Sequence, residues 1–157
     1  TNHFMGDTSE TAGLFPADLT LDALNNLASE DGHMIEYLGI EFTEIGNDFL
    51  AAKMPVDRRT RQPFGILHGG ASVVLSETLG SAAAHLSLTD ESKMAVGLEI
   101  NANHIRPVKD GYVYGKAEPL HVGKTTHVWQ TKITDEQNRL VCVSRITVAI
   151  VDKSRSK

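Results

Sequence analysis

The polarity of the chain changes period three times. Between Thr20 and Ala28, Leu21, Leu24, Leu27 and Ala28 recur at helical spacing, with Thr20 placed to cap the first turn. From Tyr37 the period drops to two. Tyr37–Ile45 and Asp48–Val56 read as strands flanking Gly46-Asn47, a β-hairpin. From Gln62 to Thr89 comes a run of 28 residues in which Glu77 is the only Asp, Glu, Lys or Arg. A chain with 22% charged residues would place roughly six there, so the depletion marks burial. Ala, Leu, Ser and Val dominate from Ala71 onward with no Pro, which predicts a buried helix of about 17 residues behind a Gly-rich turn. Beyond the polar stretch Asp90–Lys93, the segments Met94–Ile105, Gly111–His121, Thr125–Thr134 and Leu140–Val151 have strand composition, with turn residues between them.

The predicted order is therefore short helix, two strands, one long helix, four strands. One long apolar helix among six strands has one good solution, an α+β layer fold in which an antiparallel sheet wraps around the helix. A sheet edge and the second face of the helix would stay exposed in a monomer, so self-association is expected. Residues 1–19, polar and carrying Gly6, Gly13 and Pro16, read as a mobile tail ahead of one domain over residues 20–157.

Composition changes this picture little. The 157 residues suit one core, and a net charge of −5 leaves no basic excess for nucleic acid. The long helix is not a membrane span, because Ser72, Ser76, Glu77, Thr78, Ser81 and His85 are too polar for hydrocarbon. A single cysteine, Cys142, excludes an internal disulfide. With no signal-like or membrane-spanning apolar segment in the sequence, it points to the cytoplasm. The seven histidines show no metal spacing and Cys142 has no partner, so no metal is expected.

Candidate chemistry centres on Glu77. A carboxylate isolated in an apolar run, with the Ser81 hydroxyl one helical turn on, suits a nucleophile or general base better than a surface salt bridge. Upstream, Gly65-Ile66-Leu67-His68-Gly69-Gly70 reads either as a simple turn or as a helix start whose N–H groups polarise a carbonyl oxygen. His68 and Gln62 are further donor candidates there. Eight residues separate Gly69 from Glu77, about 12 Å along one helix, so both cannot act on one thioester-sized group within one chain. Two such helices lying antiparallel in a two-fold dimer would bring them together. His104 and Arg106 share one face at a strand end. Lys124 and Thr125, after Gly123, offer a cation and a hydroxyl suited to phosphate. Taken alone, either of these segments reads first as a solvated turn.

The stretch Arg61-Gln62-Pro63-Phe64-Gly65-Ile66-Leu67-His68-Gly69-Gly70 and its continuation to Ser81 resemble the signature of the hotdog-fold acyl-CoA thioesterases. The branch is the one with a carboxylate midway along the central helix, which includes aryl-CoA enzymes acting on 4-hydroxybenzoyl-CoA and 1,4-dihydroxy-2-naphthoyl-CoA. Val96–His104 and Pro119–Lys124 extend the similarity, which runs from about Thr20 to Val151. The resemblance implies hydrolysis of an acyl-CoA ester, aryl or medium-chain, with coenzyme A entering only as part of the substrate. It implies Glu77 as the catalytic carboxylate, Ser81 as the hydroxyl beside it, and Gly69 N–H with His68 and Gln62 at the thioester carbonyl. It places His104, Arg106, Lys124 and Thr125 along coenzyme A, and it implies a dimer with shared sites, paired into a dimer of dimers. Of two competing readings, a non-catalytic acyl-CoA sensor is disfavoured by the intact Glu77, Gln62 and His68, and a dehydratase of the same fold, which would also place an acidic residue on the helix, by the full thioesterase-like run.

Overall fold

The charge-depleted run holds one long helix, and the sheet lies over one side of it. The structure, a computed structural model, describes residues 13–29 and 32–155. In chain order the elements are α1 (Leu21–Ser29), α2 (Met34–Tyr37), β1 (Glu41–Ile45), β2 (Leu50–Pro55), α3 (Gly69–Leu86), β3 (Lys93–His104), β4 (Tyr112–Val122), β5 (Thr126–Thr134) and β6 (Leu140–Asp152). The six strands form one antiparallel sheet in the order β1-β2-β4-β5-β6-β3. This is the expected α+β arrangement, a sheet wrapped around one long helix.

Thr20 caps α1 as its position predicts, its Oγ1 accepting from Ala23 N–H at 3.1 Å. The Asn25 side chain then ties α1 to β1, donating to Phe42 O at 3.0 Å and accepting from Phe42 N–H at 2.8 Å. On α3 the residues Ala71, Ser72, Leu75, Ser76, Leu79, Gly80, Ala83 and Ala84 are buried against the sheet. Leu75, Leu79, Trp129 and Ile133 are fully enclosed, each contributing roughly 2 kcal/mol of apolar burial. The other stripe, Val73, Val74, Glu77, Thr78, Ser81 and Ala82, stays half-exposed. Burial of Glu77, expected from the charge depletion, is thus only partial in the single chain. The run is apolar on both faces, but its own sheet covers one.

Three expectations need correction. Tyr37–Ile40 is not strand. Ile35 and Leu38 turn inward at helical spacing and close α2, and Gly39 at φ 70° ends it. The hairpin loop is four residues rather than two, since Ile45 pairs with Leu50 and Gly46 N–H donates to Phe49 O at 2.8 Å. The expected tail is also too long. Residues 1–12 lie outside the described residues. Leu14 N–H, however, donates to Asn47 O at 2.7 Å, and the Phe15 ring stacks on Trp129 at 6.4 Å. An aromatic ring among polar residues found a core to join.

Candidate active site

The start of α3 leaves one backbone donor unclaimed. His68 is the N-cap, and its Nδ1 accepts from Gly70 N–H at 2.8 Å. That bond requires a bare Nδ1, so the neutral ring carries its proton on Nε2. Ala71 and Ser72 N–H both turn to His68 O, at 2.9 and 3.3 Å. Of the first four N–H groups of the helix, only that of Gly69 has no partner among the described residues. Gln62 is oriented by its own loop: Oε1 accepts from Phe64 N–H at 2.6 Å, which leaves the amide NH₂ as a donor. The loop is pinned by the Arg61–Leu67 bridge and by His68 N–H donating to Thr60 O at 2.8 Å.

Gly69 and Glu77 open onto different cavities. Gly69 lines one of about 450 Å³ with His104, Arg106 and Ser72, and a Cβ at Gly69 would stand 2.8 Å from His104 Nε2. Only glycine lets that imidazole lie against the helix start. Glu77 and Ser81 line a second cavity, about 520 Å³, walled by Leu24, Leu27, Phe42 and Ala82. Here Ser81 Oγ donates to Glu77 Oε1 at 3.2 Å, as their helical spacing predicts. The two cavities share no lining residue. His68 faces a third, of about 560 Å³, beside Arg61 and Val74.

So the structure brings Glu77 to Ser81, and Gly69 to His104 and Arg106, and keeps the two sets apart on one chain. Lys124 and Thr125 sit in the β4–β5 turn and line neither cavity. Thr125 O accepts from Ile150 N–H at 2.9 Å, which holds the turn against β6. Among the described residues no cluster of His, Cys, Asp or Glu could hold a metal, and no helix is long and apolar enough to cross a membrane. Burial pushes the Cys142 thiol up, which keeps it protonated and unsuited to attack.

Sequence reasoning missed several residues of the site. Gly97 is the clearest: a Cβ there would lie 3.1 Å from Glu77 Oε1, so its bare backbone makes room for the carboxylate. A glycine inside a strand pattern is itself a signal of a bulge or a close approach, and the β3–β6 register does shift between Gly97 and Glu99. His33 and His85, at the Glu77 cavity, carried no local signal.

Comparison with known proteins gives the family. Residues 64–142 match the model of the thioesterase superfamily. The chain is 55% identical over 133 residues to a 1,4-dihydroxy-2-naphthoyl-CoA hydrolase of Escherichia coli strain K12, covering 85% of this chain and 96% of that relative. It is 50% identical over 133 residues to the proofreading thioesterase EntH of Cronobacter turicensis, covering 85% and 95%. A solved thioesterase from Haemophilus influenzae superposes with a TM-score of 0.83 at 49% identity, over 88% of this chain and 95% of that one. Shared fold, high identity and near-complete coverage lead to one conclusion: the chain belongs to the thioesterase superfamily and is a thioester hydrolase.

Proposed function

We propose that this thioesterase hydrolyses acyl-CoA esters with an aromatic acyl group, at a site built from two subunits. The observation that carries the proposal is the division of α3. Its one unclaimed N–H, at Gly69, opens onto one cavity, and its one carboxylate opens onto another, about 12 Å along the axis. Two subunits related by a two-fold axis close the gap. The half-exposed stripe of α3 offers a face for a second α3 lying antiparallel. Strand β3 lies at the edge of the sheet and exposes Val96 and Leu98, where a counterpart strand can add to it. Tyr112 and Tyr114, 38% and 39% exposed on the outer sheet face, support further pairing into a dimer of dimers.

In such a site Gly69 N–H, the Gln62 amide and His68 Nε2–H polarise the thioester carbonyl, and Glu77 of the partner subunit acts on its carbon. The carboxylate either attacks, giving an anhydride and free coenzyme A, or takes a proton from the attacking water. Ser81 holds the carboxylate in place. Coenzyme A runs past His104 and Arg106, with Lys124 and Thr125 available to its phosphates. The mostly apolar cavity beside Glu77 suits a flat aromatic group, and the E. coli relative named for a dihydroxynaphthoyl ester supports that choice. A thiol-release screen over aryl-CoA and medium-chain acyl-CoA esters tests this reading, with wild type and Glu77→Gln side by side. Aryl esters should lead, and Glu77→Gln should lose about 10²-fold or more in kcat with little change in KM. A folded Glu77→Gln protein retaining most activity would remove Glu77 from its role, and a preference for medium chains would overturn the aromatic assignment.

A further inference from the structure

Ser72 and Ser76 stand four apart on the sheet side of α3, and each is only 1% exposed. Neither hydroxyl has a hydrogen-bond partner among the described residues. Alanine would be the better helix former at both positions and would leave no polar group unpaired. The two serines differ in what they face. The Ser76 hydroxyl is closed off from solvent. Ser72 instead lines the cavity that Gly69, His104 and Arg106 also line.

Helix geometry settles which part of a bound ester Ser72 can meet. It lies three residues beyond Gly69, about 4.5 Å along the axis and roughly 60° around it. The Gly69 N–H points out of the helix end, away from Ser72, so the two groups are set to meet neighbouring parts of a bound ester. Ser72 and Arg106 line the same cavity as Gly69, so a coenzyme A arm passing from the Gly69 N–H to Arg106 has its path within that cavity. The thiol arm of coenzyme A leaves the sulfur through a short methylene spacer and then carries an amide, the first polar group on that path. We infer that the Ser72 hydroxyl hydrogen-bonds this amide, making Ser72 a substrate-binding residue that fixes the thioester relative to Gly69. The inference rests on the acyl-CoA reading above.

The test compares Ser72→Ala with Ser76→Ala on three esters of one acyl group: the CoA ester, the N-acetylcysteamine ester, which keeps the amide, and the ethanethiol ester, which lacks it. In Ser72→Ala the ratio of kcat/KM between amide-bearing and ethanethiol esters should fall about tenfold, the worth of one hydrogen bond. Its Tm should rise at the same time, because a buried hydroxyl without a protein partner is gone. Ser76→Ala should raise Tm alone and leave all three kcat/KM values as in wild type. Opposite movements of stability and activity at Ser72 would separate binding from a structural role. An unchanged ratio, or equal loss on all three esters, would overturn the inference. Wild type releasing no thiol from any CoA ester would overturn the acyl-CoA reading instead.

Discussion

A chain without Glu77 and a chain without the carbonyl donors should rescue each other. The perturbations are Glu77→Ala in one chain, and Gln62→Ala with His68→Ser in the other. Serine keeps an N-cap for α3, where its loss would cost about 1 kcal/mol, and it removes the imidazole. Eight residues of α3 hold Gly69 and Glu77 about 12 Å apart, a carboxylate reaches only a few ångströms, and the two cavities have no lining residue in common. In the proposed shared site, one subunit supplies the donors and the other the carboxylate. Either parent homodimer has two damaged sites and should be nearly inactive. In a mixed dimer one site collects every lesion and the other collects none. Free exchange of equal amounts makes half the dimers mixed, with one good site in two, so activity should return to about a quarter of wild type. The assay is thiol release from an aryl-CoA ester after subunit exchange, with the mixed species verified by mass spectrometry. If each chain held a complete site, every subunit would keep its own lesion and mixing would restore nothing. Verified exchange without rescue would refute the shared site.

Two further outcomes follow from particular contacts. Gly97→Ala places a methyl group 3.1 Å from Glu77 Oε1, and displacing the carboxylate by a few tenths of an ångström should cost roughly tenfold in kcat with the fold intact. Unchanged kcat would mean that Gly97 serves β3 alone. His127, 2% exposed between β4 and β6, is held below its ordinary value of 6.5 by burial and by the charge of His121, against the opposing effect of a hydrogen bond that the imidazole donates to the Gly123 backbone. The unfolded chain therefore binds more protons in the window below 6.5, and stability should fall as pH drops through it, levelling off once the folded value is passed. His127→Phe should flatten the dependence of Tm on pH between 7 and 5, and an unaltered slope would assign the effect elsewhere.

Much of this protein was legible along the chain. Charge depletion marked α3, and strand composition located β3 to β6 within a residue or two. Helical spacing paired Ser81 with Glu77, and the rise of a helix already separated Glu77 from Gly69. These are local matters, set by periodicity and by the fixed geometry of an α-helix. Other features depend on residues far apart in sequence. An apolar face says that something must cover it, not what does. The helix run was depleted of charge all round, yet the sheet covers only the side of Leu75 and Leu79, which leaves the Glu77 side half-exposed. The place of β3 at the edge comes from its pairing with β6 rather than with a neighbour in sequence. That pairing sets Gly97 beside Glu77 and His104 beside Gly69, contacts no spacing rule contains. In the same way Ser72 and Ser76 are indistinguishable on the helical wheel. What separates them is that a cavity beside β3 reaches one and stops short of the other.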